Sequence, residues 1–281
     1  ILDTGFELDH PEIQHALLPG KDFVDIIDGA QKFIGDFLGP DNQPEDEVGH
    51  GTHVAGIIAA KGYRMPIGLV PNCKILPIKV LGALRQGEKV VGAGLVDNIN
   101  NGIKWAVDQG AEVINMSLGI KHLGGGLPHE EVINYALRKG VTVVAASGND
   151  GQRDKYYPGA LPGVIAVGAA DDQGAVAAFS TFGGHVSLIA PGVNIYSSFL
   201  NKSYVASSGT SQAAPFVAGA IALLKSYALS KERPLGDRQI KYLLKHTSDK
   251  VSQQFKDIRA GFGRLNLLDA LRLYQYKTSI L

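Results

Sequence analysis

Three short segments punctuated by glycine hold the residues best suited to chemistry. They are Asp3-Thr4-Gly5 behind an apolar pair, His50-Gly51-Thr52-His53-Val54-Ala55-Gly56, and Gly209-Thr210-Ser211-Gln212-Ala213-Ala214-Pro215. Each sets a polar side chain at the end of a strand or the start of a helix. A serine hydroxyl is a weak nucleophile until an imidazole takes its proton. A carboxylate must then hold that imidazole in the right tautomer and stabilise the imidazolium. Asp3 as orienter, His50 as general base and Ser211 as nucleophile supply those roles. The oxyanion that develops on an attacked carbonyl needs fixed donors. Asn149, closing Ala145-Ala146-Ser147-Gly148-Asn149, can offer its amide beside the Ser211 backbone N–H.

Other chemistries fit the same residues less well. Asp-Thr-Gly also marks aspartic proteases, but those need two such aspartates sharing a proton, and the chain has no second copy. A metalloprotease helix spaces its histidines at i,i+4 around a glutamate. His50 and His53 stand at i,i+3 without one, so His53 reads as a structural, hydrogen-bonding histidine. Gly-Thr-Ser-Gln-Ala nearly matches the Gly-x-Ser-x-Gly elbow of α/β-hydrolases, with Asp237 and His246 as partners. The second glycine is missing, however, and the His50 segment would go unexplained. The acidic run Asp36, Asp41, Glu45, Asp46 and Glu47 lacks calcium-loop spacing and reads as a solvated surface loop.

These residues need a rigid frame, and the pattern between them supplies one. Strand-like runs at Lys74 to Leu81, Val113 to Leu118, Val141 to Ala146 and Val164 to Val167 alternate with helical patterns near 97–109 and 130–139. That alternation predicts a parallel sheet covered on both faces. Small residues in the helix after His50 permit close backbone packing. The helix after Ser211 is apolar nearly all round, which marks it as buried, with Pro215 expected near its first turn. Ser211 would then sit where free N–H groups and the helix dipole favour negative charge. From Ser180 to Val205 the chain reads as loops and short strands, and from Arg238 to Tyr274 as amphipathic helices.

The order Asp, His, Ser and the wording of all three segments resemble the subtilisin family, and the resemblance extends over essentially the whole chain. Asn115-Met116-Ser117-Leu118-Gly119 looks like that family's substrate-binding strand, and Ala190-Pro191-Gly192 is similar to the stretch ahead of its nucleophile. The resemblance implies one peptidase domain over 1–281, a three-layer α/β/α sandwich with a mainly parallel central sheet. It also implies a serine endopeptidase working through an acyl-enzyme, with no cofactor required for catalysis. A substrate strand would pair with Ser117, Leu118 and Gly119. Ala146, Ser147 and Gly148 would form the other wall of the specificity pocket, and Tyr156 would approach its base. A propeptide or inhibitor is an expected partner, as is a secreted or extracellular location, an intracellular one being the alternative. A catalytically inactive binding module of the same fold is the rival from another class. The sequence departs from the family in three places. Gln212 stands where Met usually follows the nucleophile, and little of the family's amino-terminal segment precedes Asp3. The loop Lys61-Gly62-Tyr63-Arg64-Met65-Pro66 offers cationic side chains where relatives place calcium ligands. A structural calcium is therefore expected elsewhere, if anywhere.

Bulk properties narrow the partners. The 281 residues are 45% hydrophobic and 19% charged, with 27 basic and 27 acidic side chains, so no net field draws in nucleic acid or an anionic membrane. The longest uncharged apolar stretch, around Phe216 to Leu224, is far short of the roughly 20 residues of a membrane span. Cys73 is the sole cysteine and has no internal partner, and it is expected as a small buried side chain in a strand. The opening Ile1-Leu2-Asp3 carries neither initiator Met nor signal peptide, as in a piece of a longer precursor.

Overall fold

The computed structural model describes residues 1–122 and 124–279. Among them, seven strands form a central sheet. In spatial order they are Val186–Pro191, Ile165–Ala170, Thr142–Ala146, Val113–Met116, Leu2–Asp3, Ile78–Lys79 and Lys21–Asp22. Every neighbouring pair is parallel. Thr142–Ala146 and Ile165–Ala170 are buried along their whole length, as strands covered on both faces must be. Alternate side chains serve opposite layers. Val144 and Ala146 enter the core shared with α1 (His50–Ala59), α4 (Thr210–Ser230), α5 (Asp237–Thr247) and α6 (Leu267–Ser279). Val143 and Ala145 enter the core beneath α2 (Val96–Asp108) and α3 (Glu130–Arg138). The expected three-layer sandwich is present, and its sheet is wholly parallel.

Several local expectations need correction. Val186–Pro191 is a core strand although glycine and serine surround it. Its partner Ile165–Ala170 supplies the ladder that its own sequence does not announce. Only Ile78 and Lys79 of the 74–81 run join the sheet, because Pro77 lacks an N–H and the chain before it bridges to Leu17 instead. Cys73 lies in the turn before that run, half-buried, with burial pushing its thiol up. A hairpin of Gly82–Gln86 and Lys89–Ala93, extended by Phe33–Ile34, was not expected. α4 is long and apolar enough to cross a membrane, but more than half of it is buried inside the fold, as befits a core helix.

Candidate active site

Parallel strands end on one edge, and the chemistry collects there. Asp3 closes the Leu2–Asp3 strand, Ser117 follows Val113–Met116, and Asn149 follows Thr142–Ala146. Open α/β sheets form their ligand crevice outside these carboxyl ends. The two helices that open with His50 and Thr210 point their first turns at the same edge.

Asp3 is fully buried and its Oδ1 lies 2.6 Å from His50 Nδ1. A carboxylate oxygen can only accept, so Nδ1 carries the proton and Nε2 is left as the base. Burial opposes the imidazolium. The charge and hydrogen bond of Asp3, with Asp46 beyond, outweigh it and raise His50 above the ordinary imidazole value. Close approach makes this contact possible: a Cβ on Gly51 would fall 2.0 Å from the Gly5 carbonyl oxygen. Asp46 is one residue that sequence reasoning missed. Instead of facing solvent, its carboxylate accepts from the N–H groups of Val48, Gly49 and Thr52 and from the hydroxyls of Thr4 and Thr52. It thereby fixes the first turn of α1; its place four residues before the helix was the available signal.

Ser211 occupies the first turn of α4, whose N–H groups have no acceptor within the helix. Its hydroxyl donates to the Ser117 carbonyl at 3.1 Å, while the Ser117 hydroxyl donates to the Ser211 carbonyl at 2.7 Å. Pro215 lies in the second turn, later than expected. Having no N–H, it leaves the Ser211 carbonyl free for Ser117. Asn149 Oδ1 accepts from the Thr210 N–H at 2.8 Å and the Thr210 hydroxyl at 2.9 Å, which leaves its Nδ2 group as the free donor. His53 is buried and meets the Val205 carbonyl at 3.1 Å, a structural contact. Gln212 Nε2 approaches its other ring nitrogen at 3.5 Å.

A cavity of about 300 Å³ opens beside Ser211 and Asn149, with Leu118 and Gly119 on one side and Ala146 and Gly148 on the other. Tyr156 lines it. A Cβ on Gly148 would meet the Tyr156 ring at 2.4 Å, so glycine is needed for that ring to pack. Ser147 does not reach the cavity. Strand periodicity turns it inward, where its hydroxyl donates to the Thr181 carbonyl at 3.0 Å. Asp150 does line it, unforeseen from the sequence. Partial desolvation opposes its charge, yet the Thr181 hydroxyl, the Gln152 N–H and Lys121 hold the carboxyl well below the usual range. Lys121 spans Asp150 at 3.0 Å and Asp154 at 2.5 Å.

The Lys61–Pro66 loop wraps the buried Glu12 carboxylate, which accepts from the N–H groups of Gly62, Tyr63 and Arg64 and from the Tyr204 hydroxyl. Converging donors give that loop the polarity of an anion cradle. Elsewhere, Asp22, Asp36 and Asp41 bring carboxylate oxygens within 4.8 Å of one another, with the Lys79 ammonium already 3.7 Å from Asp22.

Comparison with known proteins shows which family the chain resembles over most of its length. The family model described as the subtilase family, peptidase S8, matches residues 1–263. The thermophilic serine proteinase of Bacillus sp. strain AK1 is 37% identical over 273 residues, covering 96% of this chain and 60% of its own length. The major intracellular serine protease of Bacillus subtilis strain 168 is 39% identical over 248 residues, covering 85% of this chain and 72% of its own length. A solved protease structure from Pseudoalteromonas arctica PAMC 21717 superposes with a TM-score of 0.82 at 29% identity, over 97% of this chain and 88% of that one.

Proposed function

The chain belongs to the subtilase family, and on that premise we propose that residues 1–281 act as one serine endopeptidase domain with Asp3, His50 and Ser211 as its triad. The observation that carries this reading is the 2.6 Å Asp3–His50 contact, which commits Nδ1 and leaves Nε2 to serve as base. A polypeptide lies extended along Ser117-Leu118-Gly119, where main-chain pairing gives affinity without demanding sequence. The Ser211 hydroxyl turns from the Ser117 carbonyl toward Nε2, loses its proton to it and attacks the scissile carbonyl carbon. Asn149 Nδ2 and the Ser211 N–H receive the oxyanion. His50 then passes the proton to the leaving amine as the C–N bond breaks, and an ester remains on Ser211. Water, deprotonated by His50, hydrolyses that ester and restores the hydroxyl. Asp3 stays ionised throughout.

Catalysis of this kind needs no cofactor. A propeptide or protein inhibitor would occupy the same cleft as substrate. The family holds both secreted and intracellular members, and an extracellular location is the expectation from the resemblance. The resting Ser211–Ser117 hydrogen bond is the one observation that favours an inactive binding module, although nucleophile–base contacts are commonly loose without substrate. A fluorophosphonate separates the two readings, since it labels only an activated serine. Labelling of Ser211 is expected, together with a fall in kcat of roughly 10⁶-fold for Ser211→Ala or His50→Ala. Activity within tenfold of the unaltered protein in either variant would refute the assignment.

A further inference from the structure

The two edges of the central sheet carry opposite charge. One edge strand is Lys21–Asp22, and the chain leaving it folds back so that Asp41 pairs with Asp22 along the free side. Between 25 and 47 this loop holds seven acidic residues and one basic residue, Lys32. Its arms are joined by the Ile26 N–H, which donates to the Phe37 carbonyl. On them Ile27 and Leu38 are 74% and 60% exposed, together with Asp28, Asp36 and Asp41. The opposite edge strand is Val186–Pro191, bordered by a segment in which the Phe262 N–H donates to the Ser187 carbonyl. From 238 to 277 there are nine basic residues and three acidic ones. Lys245 and Lys250 lie over the Phe255 ring at 5.2 and 4.7 Å, Lys256 over Phe262 at 5.3 Å and Lys277 over Tyr242 at 4.2 Å. Phe255 and Tyr242 are themselves exposed. Among the described residues, none of these four lysines, and none of Asp28, Asp36 and Asp41, makes an ion pair. Burial lowers the Lys256 pKa and the Lys245 charge adds to the effect, so the lysines crowd one another without a counter-ion.

We infer that the 242–277 surface docks the 25–47 loop of a second copy of this chain, joining molecules head to tail. The lysines of one molecule meet the unpaired carboxylates of the next, and Phe255 and Tyr242 cover Ile27 and Leu38. Complementary patches of this kind steer encounter and fix register. With 27 basic and 27 acidic side chains, no net repulsion opposes the approach. An anionic membrane would satisfy the lysines but leave Ile27 and Leu38 uncovered, whereas a second copy accounts for both patches. Because the two surfaces differ and lie at opposite edges of the sheet, the contact is heterologous. Each dimer keeps one free patch of either sign, so growth continues. The contact uses none of the residues of the proposed triad.

Sedimentation of the Ser211→Ala protein, in which self-cleavage cannot intervene, tests this. At low salt its mean mass should rise with concentration, and at about 1 M salt, where exposed charges are screened, it should return toward the monomer. One variant carries Lys245→Gln and Lys277→Gln, the other Asp28→Asn and Asp36→Asn, all at exposed positions. Each alone should associate about tenfold more weakly. Mixed one to one, they should recover the original affinity but stop at a dimer, because only the acidic loop of the first and the basic surface of the second remain intact. That recovery also shows that both variants are folded. A mass that stays monomeric at every concentration, or association that either pair of replacements leaves unchanged, overturns the proposal. So does a mixture that forms no dimer. Monomers that instead bind vesicles of anionic lipid through the 242–277 surface would assign that surface to a membrane and likewise overturn it.

Discussion

Single residues set the chemistry of the cavity beside Ser211, the specificity pocket of the proposed protease. Tyr156 supplies bulk, while Asp150 supplies a carboxylate that Lys121 shares with Asp154. With Lys121 in place the proposed protease is expected to favour an apolar residue ahead of the cleaved bond. Lys121→Gln removes that ammonium and leaves Asp150 to face the substrate. Preference for Arg or Lys over Leu at that position should then rise by about fivefold, less at high salt, since exposed pairs are weak and screened. A peptide-library profile identical in the two proteins would mean that Asp150 does not read the substrate. Gln212 is a second residue-scale departure. It takes the place of a thioether, and its amide faces His53 within the core.

Loops and helices hold these residues in place, and the Glu12 cradle is the clearest example. Its carboxylate is desolvated, which opposes the charge, but three N–H donors and the Tyr204 hydroxyl prevail and lower its pKa. A carboxyl depressed on folding contributes stability that is present above its unfolded value, near 4.3. That stability is lost as pH falls through the folded value. Glu12→Gln should therefore destabilise by about 2 kcal/mol at pH 7, with the gap to the unaltered protein closing toward pH 3. Denaturant titrations at both pH values test this, and a loss that does not shrink in acid refutes it.

At the scale of the molecule, one charge lies inside the sheet. Lys79 is 1% exposed, between Asp22 at 3.7 Å and Glu47 at 3.2 Å, and it ties the interior strand Ile78–Lys79 to the edge strand and to the segment leading to His50. Burial pushes Asp22 up to about 6 despite Lys79. The stabilising effect of an Asp22 proton is complete below the unfolded value, near 3.9, and disappears as pH rises through about 6. Lys79→Met strips the buried carboxylate of its counter-ion, so it should cost about 3 kcal/mol at pH 8. At pH 5, where Asp22 is protonated, the cost should be much smaller. Unfolding free energies at the two pH values decide the matter, and equal losses would show that Asp22 does not feel Lys79.

Residue type and spacing along the chain were enough to read the α/β class, the wholly buried strand Thr142–Ala146 and the helices α2 and α3, and to single out Asp3, His50, Ser211 and Asn149 as the candidate set. Each rests on local chemistry: periodicity reports burial, and glycine-flanked polar residues report positions where the backbone turns sharply. Ser147, the wall residue turned inward, shows how strand register reassigns a side chain that composition alone would place in the pocket. Asp46 as a helix anchor turns on which way its side chain faces, while Asp150 as a cavity residue, Val186–Pro191 as a sheet strand and the reciprocal Ser117–Ser211 pair depend on partners 20 or more residues away. Pairing across such distances is fixed by the ladder, by close packing and by the need to satisfy buried polar groups, so only the tertiary structure decided them.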